Sequence, residues 1–326
     1  MIRTRIIGTG SYVPPDILTN DNLSEMVDTS DEWIRTRTGI CNRHIAKDMD
    51  NADMAYNAAR NAVEDARIEA SKIGLIIVAT STPDYAFPNQ ASLVQAKLKA
   101  VNAMCFDVSA ACSGFITALD IAASMLKAGS YKYALVIGSE IVNWKDRSVC
   151  VLFGDGAGAV VLKAVDNNTE DVTGALVGHE RGIIDSNIYN DGTGASVLTG
   201  GRRFSDSCST DIFIHMDGQE VFKFAVKSVP TAIETLLHNN NMDINEVDKF
   251  ILHQANVRII ESVAKRLKAD KDKFPVNLNE HGNTSSASIP ILLDELNRNG
   301  SLKQGEKLVL AGFGAGLSWG SILLVW

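Results

Sequence analysis

Apolar runs alternate with amphipathic stretches along most of the chain, a pattern typical of helices that cover a sheet. An alanine-rich stretch with helical periodicity, 52–66, leads into the continuous apolar run 75–79. A strand that is apolar at every position is expected to be covered on both faces, as in a parallel sheet. The pattern therefore predicts an α/β fold with helices on both sides of a largely parallel sheet.

The order of predicted elements occurs twice. In each half a helix, a buried strand, a second helix and a further buried strand follow one another; in the second half these lie at 220–238, 249–253, 284–297 and 308–312. We therefore predict two topologically similar halves, residues 1–171 and 172–326. Pro290 lies inside the last predicted helix, so this helix either kinks or begins later.

Two glycine clusters, 154–158 and 312–316, suggest nucleotide binding at first sight. Neither has the Gly-x-Gly-x-x-Gly spacing, and each precedes a strand pattern instead of the helix that would hold a pyrophosphate. Tight turns and close approach of two backbones explain these glycines better.

Composition narrows the classes of function. With 326 residues, 45% of them apolar, the chain can bury a substantial core. Its net charge of −8 argues against nucleic acid as a partner, although a local basic patch could still bind an acidic protein. Five cysteines without a CxxC motif favour a reduced, cytoplasmic protein, and no apolar run is long enough to span a bilayer. No metal site and no tightly bound cofactor are expected.

Cys112 is the strongest candidate for chemistry. It lies between a predicted short strand and a helix whose apolar face carries Phe115 and Leu119. A thiol at the first turn of a helix meets unpaired backbone N–H groups and the positive end of the helix dipole, so we expect a lowered pKa and a nucleophilic thiolate. The alternative is a small core cysteine, because buried thiols are usually inert.

Two further polar residues are predicted to join Cys112. Asn283 lies at the corner of the second half that we expect to match Cys112, and His253 ends a buried strand. Ligands gather at the carboxyl ends of parallel strands, so the pseudo-symmetry predicts one shared pocket. Individually, each residue could be structural: a satisfied histidine at a strand end, or an ordinary helix cap.

The chemistry of the three side chains is coherent. A thiolate can accept an acyl group from a thioester, while a neutral histidine and an asparagine can both donate hydrogen bonds to one developing enolate oxygen. Backbone N–H groups at Cys112 and near Ala315 are candidates for a second oxyanion hole, in which one donor is typically worth about 3 kcal/mol. This set favours acyl transfer followed by carbon–carbon bond formation over hydrolysis, which would need a positioned water and a peptide cleft.

A set of motifs distributed over the whole chain resembles the β-ketoacyl-acyl-carrier-protein synthase III family, the condensing enzymes that initiate type II fatty acid synthesis. The motifs are Thr29-Ser-Asp-Glu-Trp-Ile, Ala86-Phe-Pro, Asp107-Val-Ser-Ala-Ala-Cys-Ser-Gly-Phe, Phe153-Gly-Asp-Gly-Ala-Gly-Ala, His253-Gln-Ala-Asn, His281-Gly-Asn-Thr-Ser-Ser-Ala-Ser and Phe313-Gly-Ala-Gly. The resemblance implies a thiolase-like fold in a layered α/β arrangement and a homodimer. It also implies a reaction in which acetyl-CoA acylates Cys112 and malonyl-acyl carrier protein then decarboxylates and condenses, with His253 and Asn283 as the decarboxylation pair.

The resemblance assigns less direct roles to other residues. It implies that Trp33 and Arg147 stack on the CoA adenine, that Arg37 contacts a phosphate, that Asn256 contacts the pantetheine, and that Phe87 lines the acyl pocket across the dimer interface. It also implies a docking patch for the carrier protein, made of Gln254, Arg258, Lys223, Lys227, Lys265 and Arg266. Surface side chains without a binding role are the alternative for the charged residues.

Two other functions are open at this point. A relative with the same fold could use a different starter in secondary metabolism, and a binding or structural protein would leave Cys112 inert. Starter profiling separates the first from the initiating enzyme, and a mass increase on Cys112 after incubation with acyl-CoA separates the second.

Overall fold

The computed structural model describes residues 2–142, 147–166, 181–201 and 213–326. The described strands are β1 (Ile2–Tyr12), β2 (Ile17–Thr19), β3 (Asn42–His44), β4 (Leu75–Ala79), β5 (Met104–Val108), β6 (Tyr133–Glu140), β7 (Gly156–Asp166), β8 (Gly182–Asn190), β9 (Leu198–Gly201), β10 (Phe213–Met216), β11 (Lys249–Leu252), β12 (Lys307–Gly314) and β13 (Ser318–Val325). The described helices are α1 (Asn20–Met26), α2 (Asp31–Thr38), α3 (Asn51–Asp65), α4 (Gln90–Leu98), α5 (Gly114–Lys127), α6 (Arg147–Cys150), α7 (Gly218–Asn239), α8 (Val257–Leu267), α9 (Leu278–His281) and α10 (Ser288–Arg298).

The four strands of the second main sheet repeat the order and direction of the first four strands of the first sheet. The first runs β1-β7-β6-β4-β5, in which β4 pairs parallel with β6 and β5, and β7 pairs antiparallel with β1 and β6. The second runs β8-β13-β12-β11, in which β11 and β12 are parallel and β13 is antiparallel to both its neighbours. The repeated strand order agrees with the predicted duplication. The predicted boundary at residues 171 and 172 lies outside the described residues.

Helices separate and cover the sheets in alternating layers. Apolar side chains of α5 and α10 form one core with strands of both sheets, so these two helices fill the space between the sheets. Helices α3 and α4 cover the outer face of the first sheet, while α7 and α8 cover the outer face of the second. Because β4 is buried along its whole length, the sequence prediction of a strand covered on both faces is confirmed.

Glycines allow the layers to approach closely, at Gly158 inside a predicted cluster and also at Gly138 outside the clusters. A Cβ added at Gly158 on β7 would lie 2.6 Å from the backbone nitrogen of Ile291 on α10. A Cβ added at Gly138 on β6 would lie only 2.2 Å from the carbonyl oxygen of Ser286. These contacts explain the glycines through packing, without a nucleotide.

The helix that contains Pro290 begins later than the periodicity alone suggested. A 3-10 turn spans Ser285–Ala287, and α10 begins at Ser288. Pro290 therefore falls in the first helical turn, where the missing N–H has no intrahelical partner to lose. The later start is confirmed, and the turn before α10 carries the polar side chains of the site described below.

None of the described helices combines the length and apolar character that a membrane crossing requires.

Candidate active site

Cys112 lies where the chain passes from the first sheet to the helices between the two sheets. Strand β5 ends at Val108, a 3-10 turn spans Ala111–Ser113, and α5 begins at Gly114. Ala111 has a φ of 45°, in the left-handed region that a non-glycine residue rarely adopts. This sharp turn places Cys112 at the amino end of α5 with its side chain almost fully buried. The predicted strand-to-helix corner is confirmed.

Two buried polar residues form a hydrogen-bonded chain with the Cys112 sulfur. The Cys112 Sγ lies 3.3 Å from Ser285 Oγ, and Ser285 Oγ donates to Glu140 Oε1 over 3.2 Å. Glu140 ends β6 and is also bound by Ser286 Oγ at 3.0 Å and by Thr82 Oγ1 at 2.7 Å. The sulfur is therefore linked through one hydroxyl to a buried carboxyl group.

Burial dominates the pKa of Cys112. This pKa is raised to about 12: desolvation is the largest cause and the nearby Glu140 adds to it, while hydrogen bonding with Ser285 and with the backbone of Cys112 itself lowers it. The expectation of a lowered pKa is therefore wrong, because desolvation outweighs the backbone hydrogen bond at the helix end. A buried anion is costly, and a neighbouring carboxylate adds to that cost, so Cys112 rests as a neutral thiol.

Asn283 is buried beside the same turn. Its backbone N–H donates to the Leu152 carbonyl at 2.8 Å, and its Oδ1 accepts from the Ser285 N–H at 2.8 Å. Ser285, which contacts the Cys112 sulfur, thus also fixes the Asn283 carboxamide. With Oδ1 held by the backbone, the Nδ2 group is the donor that faces away from this contact.

The position in the second half that matches Cys112 is Ser286, not Asn283. Ser285 has a φ of 51° and opens the 3-10 turn before α10, as Ala111 with a φ of 45° opens the turn before α5. Counting one residue on from each gives Cys112 and Ser286. The predicted equivalence of Cys112 and Asn283 was therefore wrong by three residues, although both residues contact Ser285.

His253 follows β11 and is neutral. Its ring is buried, Nδ1 lies 2.7 Å from Ser288 Oγ, and burial lowers its pKa to about 3. Ser288 Oγ also accepts from the Gln254 N–H at 3.3 Å. The ring of Phe313 packs edge-on against the imidazole with centroids 5.2 Å apart. The neutral histidine that the sequence analysis required is thus present, and its Nε2 is the nitrogen not used by Ser288.

The end of β12 lies directly against the Cys112 backbone. A Cβ added at Gly314 would be 2.8 Å from the Cys112 nitrogen, so these two backbone segments are in contact. Ser318 Oγ donates to the Ala315 carbonyl at 2.8 Å and lies 2.6 Å from Ser113 Oγ. The loop that contains Ala315 is therefore held beside Cys112, as a pair of backbone donors would require.

Three of the residues predicted to bind CoA lie together at the surface. The guanidinium of Arg37 lies 4.8 Å from the centroid of the Trp33 ring on the same helix, α2. Asn256 caps α8 by accepting from the Arg258 N–H, and its Nδ2 donates to the Arg37 carbonyl at 3.1 Å. The side chain of Arg147 lies outside the described part of the structure, so its predicted pairing with Trp33 stays a prediction.

Phe87 projects from the loop between β4 and α4. Its side chain is 86% exposed in the single chain. A ring of this size left in water is compatible with the predicted contact across a dimer interface.

Five residues of the predicted docking patch are exposed, but Gln254 is not. Gln254 is buried, donates to the Leu252 carbonyl at 2.8 Å and accepts from the Asn277 N–H at 3.2 Å. Its assignment to a surface patch was wrong, because it satisfies backbone groups around the site. The exposed residues, called here the basic patch, lie on the neighbouring helices α7 and α8: Lys223, Lys227, Arg258, Lys265 and Arg266.

Sequence reasoning missed Glu140, Ser285 and Ser288 as partners of the predicted catalytic groups. The signal for Glu140 was an acidic residue two positions beyond the apolar run 134–138, at the edge where Cys112 and His253 also lie. Ser285 and Ser288 were visible in the polar run after Asn283, but nothing in their spacing shows which of the hydroxyls faces the sulfur and which faces the imidazole.

The fold assigns the chain to a known class. Its two pseudo-symmetric sheets, separated by a pair of buried helices with a cysteine at the amino end of one of them, form the layered α/β arrangement of the thiolase-like enzymes. The crystal structure of 3-oxoacyl-[acyl-carrier-protein] synthase III from Aquifex aeolicus superposes with a TM-score of 0.90 at 45% identity, covering 99% of this chain and 100% of that one. The priming β-ketosynthase from the R1128 polyketide biosynthetic pathway superposes with a TM-score of 0.89 at 35% identity, covering 99% of this chain and 96% of that one.

Sequence comparison narrows the class to one family. The family models for 3-oxoacyl-[acyl-carrier-protein (ACP)] synthase III and for its C-terminal region match residues 106–192 and 237–326. The β-ketoacyl-[acyl-carrier-protein] synthase III of Clostridium botulinum is 48% identical over 337 aligned positions, which cover 100% of this chain and 99% of that protein. The chain belongs to the β-ketoacyl-acyl-carrier-protein synthase III family of acyltransferases, and the resemblance found in its motifs is confirmed.

Proposed function

We propose that the protein condenses an acyl-CoA starter, acetyl-CoA in the first instance, with malonyl-acyl carrier protein to initiate fatty acid synthesis. The products are the 3-oxoacyl-acyl carrier protein, carbon dioxide and CoA, and the reaction passes through an acyl group on Cys112. The observation that carries this proposal is the turn from Asn283 to Ser288, which contacts Cys112 through Ser285 and His253 through Ser288.

In the first half-reaction Cys112 attacks the thioester carbonyl of the starter. The new S–C bond forms as the carbonyl oxygen gains negative charge, and the C–S bond to CoA then breaks. Backbone N–H groups of Cys112 and Ala315 are the donors proposed for that oxygen, because the Gly314 backbone touches the Cys112 nitrogen. The small residues around Cys112 leave room for the carbonyl.

In the second half-reaction malonyl-acyl carrier protein loses carbon dioxide and the resulting enolate attacks the acyl-cysteine carbonyl. A neutral His253 and the Asn283 carboxamide donate to the enolate oxygen. Because Ser288 Oγ accepts from the Gln254 N–H, its own proton is available for His253 Nδ1, which leaves a proton on Nε2. An imidazole with a pKa of about 3 stays a neutral donor at physiological pH.

The surface features support the same reaction. The Trp33 and Arg37 pair offers an aromatic face and a guanidinium to the nucleotide end of CoA, and Asn256 beside it donates to the Arg37 carbonyl. The basic patch offers positive charge to an acidic carrier protein on a chain whose net charge is −8. We further propose a cytoplasmic homodimer in which Phe87 limits the acyl pocket of its partner. The reaction as written needs no bound cofactor and no metal ion.

The decisive experiment is intact mass spectrometry of the purified chain after incubation with acetyl-CoA. An increase by one acetyl group that is absent in Cys112→Ser, followed by its loss when malonyl-acyl carrier protein is added, supports the proposal. If acetyl-CoA leaves the mass unchanged while no other acyl-CoA acylates the chain, the proposed function is overturned.

A second candidate is a condensing enzyme that uses a different starter in secondary metabolism. The observation that favours it is the 35% identity and TM-score of 0.89 to a priming ketosynthase of a polyketide pathway. Starter profiling separates the two. Activity with longer, branched or aromatic acyl-CoA together with none from acetyl-CoA would support this second function.

A further inference from the structure

Glu140 has no role in the chemistry described so far, although it is the carboxyl group placed nearest to the nucleophile. It is buried at the end of β6 and accepts hydrogen bonds from the turn after β4 and from the turn before α10. Its partners are the Ser81 backbone N–H and hydroxyl groups, of which Ser286 Oγ also donates to the Ala79 carbonyl, and the N–H and the other hydroxyls can stabilise a negative charge on the carboxyl group. Its placement one hydroxyl away from a buried thiol therefore calls for an explanation beyond packing.

We propose that Glu140 accepts the Cys112 thiol proton through Ser285 and thereby leaves the negative charge on the sulfur for acyl transfer. Ser285 has a single hydroxyl proton, and its 3.2 Å contact to Glu140 Oε1 uses that proton as a donor. The 3.3 Å contact to Cys112 must then use the Ser285 oxygen as the acceptor, with the S–H group as donor. The resting hydrogen bonds thus already point from sulfur to carboxylate.

The transfer balances without any added reactant. As the thiol S–H bond breaks, a proton moves to Ser285 Oγ, and the original Ser285 proton moves to Glu140. The sulfur electron pair forms the bond to the acyl carbon, and the bond between that carbon and the CoA sulfur breaks with its electrons on the leaving sulfur. The proton on Glu140 then returns through Ser285 to the leaving thiolate. The sum is one thiol exchanged for another.

Electrostatics favours this shared use of one negative charge. Burial raises the pKa of both Cys112 and Glu140, so two anions side by side are disfavoured while one anion is tolerated. The raised pKa of Glu140 also brings it nearer to that of the thiol. The titratable groups that face Glu140 from the described elements are Cys112 and Asp155. Burial raises the pKa of Asp155 to about 6. The other groups around it are serine and threonine hydroxyls and a backbone N–H.

The proposal rests on the proposed function, but its test requires no substrate. The measurement is the rate of Cys112 alkylation by iodoacetamide on the full chain between pH 5.5 and 9.5, followed by peptide mass spectrometry. If the pair shares one charge, the wild-type rate has a pH-independent plateau between the two apparent pKa values of the pair. Glu140→Gln is expected to remove the plateau, leaving a rate that rises about ten-fold per pH unit.

Three further variants separate a proton path from a structural role. Ser285→Ala keeps the carboxyl group but breaks the link, and should lower the plateau rate about ten-fold, the effect of losing one hydrogen bond to an ionised group. Glu140→Asp should restore a plateau. Ser286→Ala is the matched control. The Ser286 hydroxyl binds the same Glu140 oxygen as Ser285 but does not contact Cys112, so this variant should keep the plateau.

A plateau that persists in Glu140→Gln, or a wild-type rate that rises ten-fold per pH unit throughout, would overturn the proposal. Should Glu140→Gln fail to fold, Ser285→Ala decides the matter alone, because an unchanged plateau there excludes the path. Failure of this test leaves acylation by acetyl-CoA untouched. Failure of acylation with an intact plateau would instead remove the proposed function and not the proton path.

Discussion

At the scale of single residues, the two polar donors of the site differ in what holds them. The Asn283 backbone N–H donates to the Leu152 carbonyl, a contact that truncation of the side chain keeps, while its Oδ1 accepts from the Ser285 N–H. His253 is buried and neutral, and depends on Ser288 for its orientation. This difference leads to separate predictions for the two residues.

Asn283→Ala is expected to keep acylation of Cys112 and to lose decarboxylation of malonyl-acyl carrier protein. The carboxamide donates only to the enolate oxygen of the second half-reaction, and loss of one such donor typically lowers the rate 100- to 1000-fold, about 3 kcal/mol. Acylation measured by intact mass and decarboxylation measured by release of labelled carbon dioxide check it. Equal loss of both half-reactions would contradict this role.

The burial of His253 predicts a specific dependence of stability on pH. Its pKa falls from 6.5 to about 3 on folding because burial disfavours the charged ring. Between these values the unfolded chain binds a proton that the folded chain does not, so the free energy of unfolding decreases as pH falls below 6.5. The slope from this group is about 1.4 kcal/mol per pH unit.

Urea unfolding of the wild type and of His253→Gln, compared between pH 4 and pH 7.5, checks this dependence. The stability advantage of the wild type should shrink as pH falls below 6.5. Asp155, whose pKa is raised to about 6, acts in the opposite direction but is common to both proteins and cancels. A difference that does not change with pH would show that His253 does not carry the effect.

At the scale of elements, the site depends on how closely β6 approaches the turn before α10. A Cβ at Gly138 would lie 2.2 Å from the Ser286 carbonyl oxygen, closer than any real contact. Gly138→Ala is therefore expected to displace this turn, which costs about 1–3 kcal/mol of unfolding free energy as overpacking does. It should also slow acylation, because Ser285 moves with its neighbour.

Gly192→Ala is the matched control for this prediction, since nothing lies within 4 Å of a Cβ added there. Its unfolding free energy should stay within about 0.5 kcal/mol of the wild type. Denaturant unfolding and acylation rates of both variants provide the check. An unaffected Gly138→Ala would mean that the turn tolerates displacement.

The periodicity of the chain was sufficient to predict the layers and the corner that carries Cys112, because buried strands and amphipathic helices leave a strong local pattern. The contacts of Cys112 were not predictable in this way. Glu140 and Ser285 lie far apart in sequence, and only the packing of β6 against the turn before α10 brings them together. For the same reason the direction of the Cys112 pKa shift was missed: the depth of burial depends on the second half of the chain.

At the scale of the whole molecule, charge is distributed unevenly. The chain carries a net charge of −8, yet α7 and α8 expose the basic patch side by side, joined where Arg266 donates to the Val226 carbonyl at 3.2 Å. Lys223 is bound to Glu220 at 2.7 Å, so part of its charge is already compensated. Lys227, Lys265 and Arg266 are therefore the better residues for testing a docking role.

Lys265→Glu and Lys227→Glu are each expected to raise the KM for malonyl-acyl carrier protein about two- to five-fold, the effect of an exposed charge pair. Acylation by acetyl-CoA should not change, because the small substrate does not need this surface. Lys72→Glu changes net charge equally on the turn before β4 and should leave the KM unchanged. Steady-state kinetics at two salt concentrations checks this prediction. If Lys72→Glu raises the KM equally, the effect comes from the net charge of the chain and not from docking at the basic patch.

The neutral, enclosed state of the Cys112 sulfur has a consequence for its survival in the cell. Peroxide attacks thiolates and not thiols, so a nucleophile that is buried and largely a neutral thiol is protected from oxidation to sulfenic acid between turnovers. The same property should make simple electrophilic inhibitors slow, and should favour compounds that enter the pocket and hold their reactive carbon against the sulfur before any bond forms.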